Sequence, residues 1–343
     1  MQKKLSFYLI SLLLFLIVLA VASIFIGVYQ FEEGSLKTIS KILSGNEDIN
    51  PSDYYVFFDV RLPRVLMAIL IGSGLAVSGT CLQGMFKNPL ASPDLIGITA
   101  GSVLFAAITI VLGSYVKAVV PEIIHFSLLS IMSFIGAMIT MSFVYKISST
   151  NAKTNVGVLL LAGVAITALS GATTGLLTYL SDDEELRNLT FWTLGSLAGA
   201  TWTKVGILTA VIITSVVLLI NKGKSLNAMM LGERDASHLG IPVENIKRRI
   251  VLLSALMVGA SVAFTGTIGF VGLIVPYILR LVFKSNYYYI LPLSAVCGSI
   301  LLLGADTISR TIVPPSEIPI GILTSIMGAP VFIAILIRFK KSI

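Results

Sequence analysis

Apolar runs long enough to cross a lipid bilayer recur along nearly the whole chain, near residues 5–28, 62–86, 94–114, 121–145, 155–180, 203–221, 249–267, 269–283, 288–311 and 318–338. A helix rises about 1.5 Å per residue, so roughly 20 apolar residues span the hydrocarbon core. Inside that core only helices and closed barrels satisfy their own backbone groups, and runs of this length are helical rather than strand-like. The chain is 56% apolar and 12% charged, where a soluble domain is about half apolar and a quarter charged. No segment between the runs is long enough to fold as a separate domain. The sequence predicts an all-α integral membrane protein of about ten transmembrane helices, a single membrane domain over residues 1–343.

Two runs need comment. Residues 5–28 follow Lys3 and Lys4 and end near Ala20-Val21-Ala22, which resembles a signal-peptide cleavage site. The apolar core is about twice the usual signal length and continues past that site, so it is read as a retained first helix. The run 269–283 is short and contains Pro276, which predicts a tilted, broken or re-entrant helix covered by protein.

Positive charge sets the orientation. With the amino terminus in the cytoplasm, 16 of the 24 Lys and Arg residues fall inside. Lys37, Lys41, Arg61, Arg64, Lys117, Arg187, Lys204 and Arg310 remain outside. This is the direction the positive-inside rule requires, and it places both termini in the cytoplasm. The net charge of +7 is dispersed among apolar segments and forms no stripe for nucleic acid. Glu32, Glu33, Glu47, Asp48, Asp53 and Asp59 crowd the first external loop, and Asp182, Asp183, Glu184 and Glu185 the second. Such acidic runs read as solvated loops.

The chain also repeats itself. Gly72-Ser-Gly-Leu-Ala-Val-Ser-Gly-Thr80 matches Gly259-Ala-Ser-Val-Ala-Phe-Thr-Gly-Thr267 by residue class, and Pro89 and Pro276 follow at the same offset. Five crossings separate the strings, so they run in opposite directions. The pattern predicts an inverted repeat of spans 2–5 (62–180) against spans 7–10 (249–338), with the first span and the sixth (203–221) outside it. Gly and Ser at such spacings have a packing explanation too, since they let membrane helices approach closely, and Gly97/Gly101 and Gly171/Gly175 also have GxxxG spacing. Inverted repeats favour transport over a purely structural role.

The chemistry that is missing narrows the function further. No nucleophile with its base, no pair of membrane carboxylates and no histidine metal site can be assembled from this sequence, which argues against an intramembrane enzyme. His125 and His238 fall near opposite faces, and Cys81 and Cys297 lie singly in apolar runs. The likeliest membrane carboxylate, Asp306, precedes Arg310 by four residues, the spacing of a helix ion pair. There is no Gly-x-x-x-x-Gly-Lys-Ser/Thr loop, so ATP must be used by another subunit. A proton-coupled carrier or a bare-metal pathway would need mid-membrane His, Asp or Glu ligands. A cargo that arrives already chelated needs none.

Several strings then resemble one family. They are Arg61-Leu-Pro-Arg64, Asn88-Pro-Leu-Ala-Ser-Pro-Asp-Leu-Ile-Gly97, Leu159-Leu-Leu-Ala-Gly-Val164, Phe191-Trp-Thr-Leu-Gly-Ser196, Leu231-Gly-Glu-Arg-Asp-Ala-Ser-His-Leu-Gly240, Gly269-Phe-Val-Gly-Leu-Ile-Val-Pro276, Glu317-Ile-Pro-Ile-Gly321 and Gly328-Ala-Pro-Val-Phe332. In order and spacing they resemble the FecCD-type permeases, the membrane subunits of type II ABC importers for iron-siderophores, haem and cobalamin.

The resemblance implies a non-enzymatic plasma-membrane permease. It implies two permease subunits, identical or related, around one pathway, two cytoplasmic ABC ATPases that bind the ATP and Mg, and an extracellular substrate-binding (lipo)protein. No cofactor is expected in this chain. Iron(III)-siderophore leads as cargo, with haem and then cobalamin behind it. Arg61, Arg64 and Arg310 resemble external arginines that receive acidic residues of the binding protein. Gly232, Glu233, Ala236, Leu239 and Gly240, in the cytoplasmic loop 222–248, resemble the coupling helix that seats in the ATPase. Asn155, Val156 and Gly157 lie where the family narrows to an inner gate, although Val156 and Gly157 depart from the hydroxyl residues of relatives.

Overall fold

The structure is a computed structural model that describes residues 2–32, 34, 41, 50–113, 121, 125, 127–151 and 153–340. Glu33, Lys37, Glu47, Asp48 and Lys117 of the predicted external loops lie outside the described residues, as does part of the predicted start of the fourth span.

Among the described residues the fold is helical apart from one two-stranded ribbon. The helices are α1 (Gln2–Phe25), α2 (Pro51–Tyr55), α3 (Leu62–Phe86), α4 (Ile98–Val111), α5 (Leu128–Ser148), α6 (Val156–Leu180) and α7 (Asp183–Leu194). They continue with α8 (Trp202–Ile220), α9 (Gly223–Leu231), α10 (Glu233–His238), α11 (Val243–Thr265), α12 (Val271–Phe283), α13 (Tyr287–Ser309) and α14 (Ile320–Lys340). Seven of them are long and apolar enough to cross a membrane, and α4, α12 and the apolar part of α14 are shorter. Together they account for the ten expected spans.

Helix α3 is the axis of the bundle and packs on α13, α11, α8 and α12. Helices α4, α5 and α6 form a second group joined to this core through α11. The apolar stretch of α3 is 78% buried, whereas those of α1 and α6 are 17% buried. Their outer faces are therefore left for lipid or another chain.

The repeat appears as an order of lengths: α3 to α6 and α11 to α14 both run long, short, long, long. The matched strings are used differently. Gly72 to Thr80 lie wholly inside α3, while α11 closes at Thr265 and Gly266 takes φ +71. Pro89 stands in the turn after α3, and Pro276 stands inside α12.

Pro276 does not break α12. Proline lacks the amide proton that would meet the carbonyl four residues earlier, here that of Gly272. That carbonyl instead accepts Gln83 Nε2 of α3 at 3.4 Å, so a neighbouring helix satisfies the freed group, as membrane helices require.

Two local features differ from the sequence expectation, and a short ribbon is added between α5 and α6. The second span begins earlier, at Pro51, and runs through a π-helical stretch Val56–Arg61 into α3. Asp182 accepts from Glu185 N at 2.8 Å while Glu185 Oε2 accepts from Asp182 N at 3.2 Å. The acidic run is thus a capping box that starts α7 rather than a solvated loop. In the ribbon, Ser149 pairs with Thr154 and Thr150 with Lys153, and Asn151 turns it at φ +50.

Candidate functional site

At the end of the bundle that the charge pattern assigns to the outside, Arg61, Arg64 and Arg310 come together but do not face solvent. They are 5%, 7% and 6% exposed. An arginine taken out of water must have its donors filled and its charge paired. Arg64 is held by two carboxylates. Its Nε lies 3.0 and 3.1 Å from the two oxygens of Asp306 and its Nη2 2.8 Å from one of them, while Glu317 accepts Nη1 at 2.8 Å and Nη2 at 2.9 Å. Asp306 is fully buried.

Arg61 and Arg310 work on the end of α1. The last carbonyls of a helix have no partner within it and carry its negative dipole end. Arg61 Nη1 donates to Ile24 O at 2.7 Å and its Nη2 to Tyr29 O at 2.6 Å, with the guanidinium 5.0 Å from the centre of the Phe31 ring. Arg310 donates to Ser23 O, and to Ser23 Oγ at 2.6 Å. Thr307 adds a hydroxyl contact to Ser23 at 2.8 Å.

The three arginines expected to dock the binding protein are thus engaged within this chain, where they lock α1, α3 and α13 together. The Asp306–Arg310 pair predicted from spacing is present at 3.8 Å, but the shorter contacts of Asp306 are to Arg64. Tyr29 closes the cluster by donating to Asp53 at 2.6 Å. That hydrogen bond, and then the loss of water around the ring, raise the Tyr29 phenol above its ordinary range.

At the opposite end, α9 and α10 form a bent pair before α11. Gly232 joins them at φ 156, ψ 149, a region open essentially to glycine. Ala236 is fully buried, while Leu231 and Leu239, on either side of α10, are 73% and 65% exposed. Gly240 follows at φ +77 and turns the chain into α11. The predicted coupling residues are thus a short helix anchored by Ala236 and flanked by two outward leucines.

Asn155, Val156 and Gly157 open α6. Asn155 is its N-cap, with Oδ1 accepting from Gly157 N at 3.0 Å and Val158 N at 3.2 Å, the ordinary use of asparagine at this position. Thr154, the residue before it, is held by Glu244 and Lys247 of α11. Sequence reasoning passed over this contact because Lys247-Arg-Arg249 registers only as positive charge on the inside.

A cleft of about 760 Å³ lies among α4, α6, the end of α7, the turn after α11 and the start of α14. Its lining is mostly apolar and hydroxyl, including Thr99, Thr167, Thr174, Thr193, Thr267 and Ser325, and its one titratable side chain is Asp94. Asp94 accepts the Thr99 hydroxyl at 2.6 Å. The Thr167 and Thr174 hydroxyls on α6 have no hydrogen-bond partner among the described residues. No group of three or more His, Cys, Asp or Glu side chains able to hold a metal occurs among the described residues. The single threonines are scattered through four segments, so only the folded chain brings them together.

Comparison with known proteins agrees with this architecture. Residues 12–338 match the model of the FecCD transport family. The hemin transport system permease protein HmuU of Yersinia pestis is 38% identical over 96% of this chain and 95% of its own. The vitamin B12 import system permease protein BtuC of Vibrio cholerae is 40% identical over 83% of each. A solved inward-facing structure of a metal-chelate type ABC transporter superposes with a TM-score of 0.82 at 32% identity, covering 96% of this chain and 98% of that one. The permeases of ABC importers are transport components that work with a second permease subunit and with ATPases carried on separate chains. From the ten-helix bundle, the cleft and these matches together, the chain is a multi-pass membrane permease of an ABC importer and belongs to the FecCD transport family.

Proposed function

We propose that this permease imports an iron chelate, with siderophore-bound iron(III) as the first reading of the cargo. The observation that carries the proposal is the lining of the cleft. Hydroxyls and apolar groups surround a single carboxylate, and among the described residues no set of donors could pass a bare cation from site to site. A metal wrapped in an organic ligand presents carbonyl, hydroxyl and apolar surface, which such a lining suits. Haem is the second reading, favoured by the hemin permease that matches nearly end to end.

In this reading a second copy or a related chain completes the pathway against the open faces of α6 and the cleft, and each of two ATPases seats on the α10 region of one permease, between Leu231 and Leu239. An extracellular binding lipoprotein delivers cargo at the end that holds Arg61, Arg64 and Arg310. The arginines set the shape of that docking face and leave the partially exposed Glu317 at its rim. Asn155 to Gly157 form the inner constriction.

The test is uptake by proteoliposomes holding the permease, its ATPase and its binding protein, offered a ferric siderophore, haem and cobalamin in turn. Preferred uptake of the ferric siderophore supports the first reading. Preferred uptake of haem replaces it with the second, and preferred uptake of cobalamin removes iron from the account.

A further inference from the structure

Lys247 is the fifth residue of the membrane-spanning helix α11 and is 1% exposed. An ammonium group has three protons to donate and no acceptor. Removed from water, each proton that goes unpaired is costly. Here all three have acceptors, and they belong to three different elements. Nζ is 2.7 Å from Glu233 Oε2 at the start of α10, 3.1 Å from Glu244 Oε1 one turn back on α11, and 3.1 Å from the carbonyl of Thr154. The Thr154 amide is held as well, donating to Glu244 Oε2 at 2.8 Å.

The backbone of Thr154 is thus clamped on both sides of its Cα, its N–H by Glu244 and its C=O by Lys247. The next residue is Asn155, whose side chain caps α6. Helix α6 in turn supplies Thr167, Gly171 and Thr174 to the cleft. An unbroken chain of charged and capping contacts therefore leads from the first residue of α10 to a helix that lines the pathway. Because Lys247 has no spare donor and is 1% exposed, α10 cannot shift away from it without leaving one buried ammonium proton unpaired or drawing the clamp on Thr154 along.

From this geometry we infer that Lys247 is the positioning residue that passes displacement of α10 to the start of α6. The inference rests on the reading of α10 as the ATPase-contacting helix. Coupling between sites requires a physical element that both sites bias. The Lys247–Glu244 clamp on Thr154 is that element, and Glu233 is its handle on the ATPase side.

The test compares wild type, Lys247→Met, Lys247→Arg and Glu244→Gln in proteoliposomes with ATPase and binding protein, measuring cargo transported per ATP hydrolysed. This ratio is insensitive to the amount of folded complex, which a purely structural role would change. The expected result is a ratio about fivefold or more below wild type in Lys247→Met and Glu244→Gln, with much of it restored in Lys247→Arg. Glu244 is one-third exposed, so its variant decides the matter if Lys247→Met fails to fold. An unchanged ratio in the folded variants, or hydrolysis and uptake falling in strict proportion, overturns the linkage while leaving the importer reading in place. No ATP-driven uptake by the wild type overturns that reading, and the linkage with it.

Discussion

Gly79 of α3 and Gly272 of α12 lie back to back, so close that a Cβ on Gly79 would stand 1.8 Å from the Gly272 carbonyl oxygen and 2.6 Å from its Cα. The obstacle is backbone and cannot swing aside. Small residues at such crossings let membrane helices approach where no hydrophobic drive assembles them. The same closeness brings Gln83 within reach of the carbonyl that Pro276 leaves free, so one glycine contact supports the proline in a helix that would otherwise carry an unsatisfied group.

Gly79→Ala is therefore expected to force α3 and α12 apart and to destabilise the permease by about 1–3 kcal/mol or more. Gly206→Ala on α8, where a Cβ would meet nothing within 4 Å, is expected to be neutral or slightly stabilising. Thermal unfolding of both variants in detergent checks the contrast.

Arg64→Ala leaves Asp306 buried without its shortest partner. Breaking one side of a buried pair costs about 3–5 kcal/mol, and the loss appears as reduced expression and a lowered unfolding midpoint. Charge reversal of Arg61 and Arg64 together is expected to act the same way, before any effect on delivery of cargo is visible. Glu317→Gln, at the exposed edge, is expected to cost less than Arg64→Ala. The three unfolding midpoints rank the account.

How much of this was legible in the sequence depends on the range of the interaction. The ten spans were readable because crossing a bilayer imposes a length and a composition on each segment separately. The capping box at Asp182 and Glu185 was equally local, but the D-x-x-E pattern was lost among the neighbouring acids. Arg61, Arg64 and Arg310 are legible as a group, but the partners that bury them are not. Nothing local says that Asp306 and Glu317, more than 240 positions away, will fill the donors of Arg64. Lys247 was hidden for a similar reason: beside two other basic residues it looks like an anchor, and only the fold supplies Glu233 and Thr154.

Gly232→Ala places a methyl in a backbone region that side chains rarely occupy, with Asp235 Oδ2 2.7 Å from the new Cβ. The strain is about 1–3 kcal/mol, and relieving it reorients α10 against α9. Uptake per ATP hydrolysed is expected to fall while the membrane helices stay folded, which transport assays paired with circular dichroism resolve.

Asp94 is the one titratable group lining the cleft. Asp94→Asn keeps an oxygen for the Thr99 hydroxyl while removing the charge and turning the other oxygen into an amide donor. Uptake is expected to fall about fivefold, a change of ~1 kcal/mol along the path, with an unchanged unfolding midpoint. Asp94→Glu is expected to retain more uptake than Asp94→Asn in the same assay.

The central claim is that this chain is a conduit for an iron chelate, driven by ATP used elsewhere. Its most direct test is accumulation of radiolabelled iron from a ferric siderophore in proteoliposomes, with the permease alone and with ATPase and binding protein added. The account predicts uptake only when ATP, ATPase and binding protein are all present, and none with an ATPase unable to hydrolyse. Uptake by the permease alone, or an assembled and hydrolysing complex that moves no iron chelate, would contradict it.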